Sequence, residues 1–165
     1  MSPAGRPRWS AIRALVTDVD GVLTDGGLYY AEHGDELRRF DVRDGQGLVL
    51  LREAGVLVAI ITRKQTTIVT RRARDLGLTE VHQNATDKAA VLTALLARHN
   101  IPARDAAYVG DDVGDLPAMR IVGLPIAVKD AVPQVRRAAH YVTKLGGGRG
   151  AMREIADLIL SARKR

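Results

Sequence analysis

Short apolar runs alternate with helical patterns along this chain, and this alternation limits the fold more than any other feature. The runs are 14-ALVTDV-19, 56-VLVAII-61, 106-AAYVG-110 and 124-LPIAV-128. Continuous apolar runs of this length are typical of strands that are covered on both faces of a sheet. Helical patterns lie between and after them, at 45–54, 64–76, 88–100, 115–121, 132–139 and 150–162.

Strands that alternate with helices predict an α/β fold. We expect a Rossmann-like, mostly parallel sheet with helices on both faces. Shorter strands are predicted around Val81 and at 140–143. Residues 28–42 interrupt the alternation, because two semi-alternating runs flank His33, Gly34 and Asp35. This segment predicts a small β-hairpin insertion.

Three of the predicted strands run directly into polar side chains. These polar groups are Asp18 and Asp20, then Thr62, then Asp111, Asp112 and Asp115. Because ligands of such sheets bind beyond the carboxyl ends of the strands, we expect the groups to share one edge. A single Asp-x-Asp or a strand-end threonine is common in surface turns. Their occurrence together, each after its own strand, is what points to a site.

Carboxylates that cluster at one edge repel one another unless a cation joins them. A divalent ion with oxygen ligands fits such a cluster, and Mg²⁺ suits a site that also holds a phosphate. The chain has no cysteine and only four scattered histidines, which argues against a zinc site. We therefore expect Mg²⁺ as the cofactor.

A carboxylate can attack phosphorus to form an aspartyl-phosphate. Asp18 is the predicted nucleophile. Asp20, two residues on, points the same way if the strand geometry persists, so it is predicted to act as acid and base. Thr62 offers a hydroxyl and an amide to the phosphoryl group, and Lys88, at the start of a predicted helix, offers a positive charge.

The composition narrows what else the chain can be. Its 165 residues suit one domain, and we expect a flexible leader over residues 1–11 and a single domain over 12–165. Basic residues near the two ends account for the whole net charge of +6, so the body is neutral. With only 4% aromatic residues, no nucleic-acid surface is expected. No apolar run approaches the roughly 18 residues that span a membrane, and a cytoplasmic protein is the default expectation.

These motifs resemble those of the haloacid dehalogenase superfamily of phosphatases. The corresponding segments here are 14-ALVTDVDGVLT-24, Thr62, Lys88 and 110-GDDVGD-115. The resemblance implies the catalytic roles given above, with Thr62 and Lys88 binding the phosphoryl group. It also implies a metal site in which Asp18, the backbone carbonyl of Asp20, and Asp111 bind Mg²⁺, and which Asp112 and Asp115 support.

The motif spacing leaves room for only the hairpin after the first motif and for one helix and one strand before Lys88, so no large cap domain is expected. A subgroup that hydrolyses 3-deoxy-D-manno-octulosonate 8-phosphate, a sugar acid phosphate of lipopolysaccharide synthesis, is similar over several further stretches. These are 20-DGVLTDGGLYY-30, 40-FDVRDGQGL-48, 108-YVGDDVGD-115 and 141-YVTKLGGGRGAMREI-155.

In that subgroup four subunits form a ring, and the hairpin and the C-terminal segment help to cover a neighbour's site. The resemblance therefore implies a homotetramer in which the hairpin and 146-GGGRG-150 have this role. Arg43 and Arg149 become candidates for substrate or interface contacts. Gly146–Gly148 can also be read as a flexible turn before the last helix.

The loop after Thr62 departs from the pattern of these relatives. They often have Gly-Arg there, whereas this chain has Arg63 and Lys64. Two cations suit an acidic sugar phosphate, so both are predicted to contact substrate. Because this loop helps to choose the substrate, a nine-carbon, sialate-type 9-phosphate is the alternative. A third interpretation, a non-catalytic assembly module of a cytidylyl-sugar synthetase, is disfavoured by the intact motifs.

Overall fold

A six-stranded parallel sheet and a separate two-stranded hairpin form the framework of the chain in a computed structural model that describes residues 7–34 and 36–164. The strands are β1 (Ala14–Thr17), β2 (Tyr29–Tyr30), β3 (Glu36–Leu37), β4 (Leu57–Ile61), β5 (Glu80–His82), β6 (Ala106–Gly110), β7 (Leu124–Ala127) and β8 (Tyr141–Val142). The helices are α1 (Val42–Glu53), α2 (Thr67–Asp75), α3 (Lys88–Arg98), α4 (Leu116–Met119), α5 (Pro133–Ala138) and α6 (Ala151–Arg163).

The strand order of the large sheet is β5-β4-β1-β6-β7-β8, and every pair in it is parallel. The chain first adds β4 and β5 on one side of β1 and then returns to add β6 to β8 on the other. The order therefore reverses between β1 and β6. In open α/β sheets, ligands bind at such a reversal, outside the carboxyl ends of the strands.

The two strands that flank this reversal are completely buried. Every residue of β1 and of β6 is buried, as expected for parallel strands with helices on both faces. α1 packs on α6, and α3 packs on α4. The predicted α/β class and the mostly parallel sheet are confirmed, and residues 7–34 and 36–164 contain no large cap, as predicted.

Helix boundaries differ from the predicted ones where polar caps decide them. α1 begins at Val42, three residues earlier than predicted, because the Asp41 side chain accepts from the N–H of Arg43 and caps the helix. α2 begins at Thr67, three residues later than predicted, because Thr66 caps it by accepting from the N–H of Ile68.

The predicted leader, residues 1–11, lies partly outside the described residues. Within the described part, Trp9–Ala11 forms a 3-10 turn, and the indole of Trp9 packs edge-on against Tyr141 with ring centroids 5.1 Å apart. The chain is thus packed against the domain before residue 12, and a domain boundary at that position stays a prediction. No helix in residues 7–34 and 36–164 is long and apolar enough to cross a membrane.

The predicted hairpin is present as β2 and β3, which pair antiparallel. Each strand has only two residues, so the hairpin cannot be stable through its own ladder. Asp35, in the predicted turn, lies outside the described residues. An isolated bridge between Thr24 and Phe40 closes the base of the insertion.

Candidate active site

The candidate site lies where β1, β4 and β6 end. Thr17, the last residue of β1, lies opposite Ile60 and Val109, so the residues that follow all three strands meet at one edge. Asp18 extends the ladder by donating its N–H to the carbonyl of Val109 over 3.2 Å. Thr62 is anchored on the other side, where its N–H donates to a carbonyl of β5.

Lys88 connects two of the acidic side chains. Its Nζ lies 2.7 Å from Asp18 Oδ2 and 2.7 Å from Asp115 Oδ1, and only 4% of its side chain is exposed. Burial disfavours the charged amine, but the two carboxylates outweigh burial and raise the pKa of Lys88. A cation in the first turn of a helix opposes the helix dipole, so this lysine lowers the stability of α3 itself. The ion pairs with Asp18 and Asp115, and not the stability of α3, therefore explain a lysine at this position.

Asp115 organises the loop after β6 and is itself 1% exposed. Its Oδ1 accepts from Lys88 and from the hydroxyl of Tyr108, 2.8 Å away. Its Oδ2 accepts from the backbone N–H groups of Asp111 and Asp112 over 3.0 and 3.4 Å. Burial and the Asp115 charge raise the pKa of Tyr108, so the phenol remains a hydrogen-bond donor. One carboxylate therefore fixes both the lysine and the loop that carries Asp111.

A candidate metal centre is formed by Asp18, Asp111 and Asp115. Each offers one oxygen, and these atoms all lie within 4.8 Å of one another. Burial, followed by repulsion from Asp18 and Asp115, raises the pKa of Asp111 to about 8. Burial and repulsion from Asp115 raise the pKa of Asp18 to about 6, although Lys88 opposes the shift. Oxygen ligands with this excess of negative charge are what Mg²⁺ requires.

The backbone is shaped for this cluster. Gly21 has φ +83°, and a Cβ there would overlap the carboxylate of Asp111. Only glycine leaves this space and adopts this conformation readily. The loop after β1 and the loop after β6 are thus closely fitted beside the acidic cluster.

Two other residues of the predicted metal site use their carboxylates elsewhere. Asp112 Oδ1 accepts from the N–H of Val113 over 2.6 Å and caps a 3-10 turn. Asp20 pairs with Arg38, whose Nε lies 2.8 Å from Asp20 Oδ1. Neither carboxylate belongs to the cluster, and a contribution of Asp20 through its backbone carbonyl stays a prediction.

A cleft of about 230 Å³ opens onto the acidic cluster. It is lined by Asp18, Asp20, Thr62, Arg63, Lys64, Lys88, Asp112, Val113, Gly114 and Asp115. All four residues with predicted catalytic roles therefore face one space. Arg63 and Lys64, the predicted substrate contacts, face the same space.

Arg43 and Arg149 do not line this cleft. Arg43 forms a two-pronged pair with the carboxylate of Asp41, over 3.1 and 3.0 Å. Arg149 pairs with Asp25 over 3.4 Å. Within one chain both arginines form these ion pairs outside the cleft, and a contact between either one and a neighbouring subunit's substrate stays a prediction.

The glycine-rich segment packs directly on the loop that follows β1. The N–H of Gly148 donates to the carbonyl of Val22 over 2.9 Å. A Cβ at Gly147 would overlap the carbonyl oxygen of Gly21. Gly147 also donates its N–H to Asp130. This segment is a fitted part of the site's framework, unlike the flexible turn that the sequence also allowed.

Sequence reasoning missed Arg38 and Glu36. Arg38 pairs with Asp20 and also with Glu36, whose carboxylate binds Lys64 at 2.9 Å. The predicted hairpin could have indicated that the two act together. Residues two apart in a strand point to the same face, so Glu36 and Arg38 are expected on the same side of the hairpin. Which side that is depends on how the hairpin lies on the domain, and the local pattern does not contain this information.

Comparisons with known proteins add to this geometry. A family described as haloacid dehalogenase-like hydrolase matches residues 54–150. The 3-deoxy-D-manno-octulosonate 8-phosphate phosphatase of Yersinia pestis is 46% identical over 155 residues, which cover 94% of this chain and 83% of that protein. Its crystal structure superposes with a TM-score of 0.93, at 45% identity over 95% of this chain and 85% of that one.

A second solved structure carries ligands. It is the 3-deoxy-D-manno-octulosonate 8-phosphate phosphatase of Moraxella catarrhalis in complex with a magnesium ion, a phosphate ion and the sugar acid. It is 39% identical, has a TM-score of 0.92, and covers 95% of this chain and 90% of its own.

Proposed function

The chain belongs to the haloacid dehalogenase-like hydrolases, and from this premise we propose that it hydrolyses 3-deoxy-D-manno-octulosonate 8-phosphate to the free sugar acid and phosphate. The observation that carries the proposal is the contact of buried Lys88 with Asp18 in a cleft beside an acidic cluster. It places a nucleophile, a phosphate-binding cation and oxygen ligands for Mg²⁺ around one space. The choice of sugar acid follows the similarity to the two phosphatases described above.

The first step forms a bond between an Asp18 carboxylate oxygen and phosphorus. The ester P–O bond breaks, and its electron pair leaves with the sugar oxygen, which takes a proton from Asp20. Lys88 and Thr62 bind the phosphoryl oxygens and stabilise their negative charge while the phosphoryl group moves from the sugar oxygen to Asp18. Asp18 and Asp111 would hold Mg²⁺, which would offset the charge between the anionic nucleophile and the anionic phosphoryl group.

The second step releases phosphate. Asp20, now a carboxylate, takes a proton from water while the water oxygen bonds to phosphorus and the Asp18–phosphorus bond breaks. Asp20 has 35% of its side chain exposed and lines the cleft, so water reaches it. Asp18 ends as the free carboxylate, and the cycle is balanced in protons.

Arg63 and Lys64 are the proposed contacts for the substrate's own carboxylate. Both line the cleft, and Lys64 is held by Glu36 at 2.9 Å and lies 5.9 Å from the ring centre of Tyr30. Two cations at the mouth favour a dianionic phosphate that carries a further negative charge. This loop is therefore the place where eight-carbon and nine-carbon sugar acids are distinguished.

We also propose a homotetramer in which neighbours cover the cleft. The cleft, at about 230 Å³, is smaller than the ~300–1,000 Å³ typical of complete ligand pockets. Beside it, the hairpin and the start of α1 present several large apolar side chains to solvent, which supports a covering subunit. They are Leu28, Tyr29, Tyr30, Leu37 and Val42, with 41% to 81% of each exposed.

The oligomer is tested by light scattering on the eluting peak of a size-exclusion column. A mass near four times 17.9 kDa is expected for the wild type. The variant Tyr30→Asp with Leu37→Asp should dissociate, and the exposed Glu32→Gln on the same hairpin is the matched control. A wild-type monomer that remains fully active would contradict the proposal.

The activity is tested by phosphate release from the eight-carbon and nine-carbon sugar acid phosphates, with Mg²⁺ and with a chelator. We expect Mg²⁺-dependent release and a higher kcat/KM for the eight-carbon ester. Asp18→Asn should abolish release, because the amide cannot form the aspartyl-phosphate. A preference for the nine-carbon ester would move the assignment to the sialate type. Absence of turnover on every ester would favour the non-catalytic module.

A further inference from the structure

The guanidinium of Arg38 is completely enclosed and lies against Asp20. No part of its side chain is exposed, and its Nε lies 2.8 Å from Asp20 Oδ1. Its Nη2 lies 3.5 Å from Asp20 Oδ2 and 2.9 Å from Glu36 Oε1. A buried arginine is rare unless it is paired, because removing the charge from water is costly.

Arg38 is enclosed in a way that excludes a direct role in substrate binding. It does not line the cleft, whereas Asp20, its partner, does. The close Nε–Oδ1 approach is also not an aligned hydrogen bond, since neither atom has a hydrogen-bond partner among the described residues. The guanidinium therefore contacts the Asp20 carboxylate from outside the cleft, and the buried Oδ1 has no aligned donor among the described residues.

A chain of ionic contacts connects this pair to Lys64, another residue that lines the cleft. Arg38 contacts Glu36, and both oxygens of Glu36 accept from Lys64, at 3.0 and 2.9 Å. Lys64 follows β4, and Asp20 follows β1. The two-residue strands β2 and β3 cannot fix the hairpin alone, so these ionic contacts help to set its position over the two loops.

We propose that Arg38 is a positioning residue for the general acid and base, holding the Asp20 carboxylate in the orientation from which it exchanges a proton with the leaving oxygen and with water. This inference rests on the proposed function for the role of Asp20. If it is correct, the hairpin that carries Arg38 contributes to catalysis in the same chain, in addition to any role in covering a neighbouring subunit's site. Arg38 acts through Asp20 and touches no reacting atom.

The test uses two esters that differ in their need for an acid. A sugar phosphate leaves as a poorly stabilised alkoxide and needs the proton, whereas 4-nitrophenyl phosphate leaves as a stable phenolate and does not. General acid catalysis contributes about 10²–10⁴-fold. We expect Arg38→Met to lower kcat/KM for the sugar acid phosphate by about 100-fold and that for the nitrophenyl ester less than about 5-fold. The value of kcat/KM depends only on the steps up to release of the leaving group. The later hydrolysis of the aspartyl-phosphate therefore does not affect the comparison between the two esters.

A double-mutant cycle identifies the route of the effect. If Arg38 acts through Asp20, the double variant Asp20→Asn with Arg38→Met should be no slower than Asp20→Asn alone. Arg38→Lys should be faster than Arg38→Met on the sugar acid phosphate but slower than the wild type. The lysine keeps the positive charge but lacks the planar guanidinium that can contact two carboxylates at once. Arg39→Met is the matched control, since Arg39 is the next residue, is partly exposed and contacts Gly148 instead. Any loss in the control should fall equally on both esters.

The outcomes separate this inference from the function on which it rests. Equal losses on both esters for Arg38→Met, or additive losses in the double variant, would overturn the positioning role and leave the phosphatase assignment intact. A wild type that cleaves neither ester would overturn both. A wild type that prefers another phosphorylated sugar would change the substrate, and the same comparison on that sugar would still decide the role of Arg38. If Arg38→Met fails to fold, the two esters are compared with Arg38→Lys.

Discussion

Replacing Lys88 with methionine removes the cation that two buried carboxylates share while keeping the length of the side chain. Each carboxylate oxygen lies 2.7 Å from Nζ. With an effective dielectric constant of about 20, each pair attracts by about 6 kcal/mol before the cost of desolvation is counted. Desolvation of buried ions cancels most of that attraction. The measurable quantity is the cost of leaving the carboxylates without a partner.

That cost is limited by proton uptake. The pKa of Asp18 is already about 6 with Lys88 present, so protonating Asp18 at pH 7.5 costs at most about 2 kcal/mol. Removing one member of a buried ionic cluster typically costs about 3–5 kcal/mol. We therefore expect Lys88→Met to lose about 3 kcal/mol of unfolding free energy at pH 7.5, the lower end of that range. The loss should be smaller at pH 5.5, where Asp18 is protonated more readily.

The assay is urea unfolding at both pH values with a chelator present, so that no metal replaces the missing charge. Lys129→Met, at an exposed lysine, is the matched control and should unfold like the wild type. With Mg²⁺ present, kcat of Lys88→Met should also fall by about 10²–10³-fold, because a preorganised charge on the phosphoryl oxygens is lost. An unfolding midpoint equal to that of the wild type at both pH values would refute the reasoning.

Three further expectations concern the metal, the glycine-rich segment and an ionic cluster away from the cleft. Because the pKa of Asp111 is raised to about 8 and that of Asp18 to about 6, Mg²⁺ must displace protons at pH 6. Binding should strengthen from pH 6 to 8 and release protons, as titration calorimetry in two buffers would show, while the metal-free protein loses stability over that interval. Gly147→Ala should cost up to about 3 kcal/mol in urea unfolding because its Cβ would overlap a backbone carbonyl, whereas Gly34→Ala, in open space, should cost only about 1 kcal/mol for its left-handed backbone. Glu80→Gln should lower stability by only about 0.5–1 kcal/mol, since the ion pairs of this carboxylate lie near the surface. Its kcat should be unchanged, because the carboxylate, whose pKa is lowered to about 2 by an arginine and two histidines, lies outside the cleft.

The parts of the site that the sequence predicted are those fixed by strand ends. Asp18, Thr62 and Asp111 follow buried apolar runs, and in a parallel sheet the carboxyl ends of neighbouring strands meet at one edge. Lys88 could be placed because Asp87 marks the first turn of its helix. These signals are local in the sequence. Once the fold class is known, it shows that the residues they mark lie at the same edge of the sheet.

The parts that the sequence did not predict depend on how separate segments lie against one another. The arginines at 38 and 39 are adjacent, yet one is enclosed behind Asp20 and the other reaches the glycine-rich segment. No local pattern distinguishes them. The same holds for Gly147 and Gly148, whose close fit to the loop after β1 is a contact between distant parts of the chain.

The close fit of Gly147 and Gly148 on the loop after Asp18 has a consequence for how the protein matures. The loop that carries Asp18 is synthesised long before the segment that supports it, because Gly147 and Gly148 lie far along the chain from Asp18. Contacts between such distant positions form late and slowly. A growing chain therefore carries Asp18 and its loop before it has the backbone support that this loop needs, so competence for catalysis cannot precede the synthesis of Gly147 and Gly148.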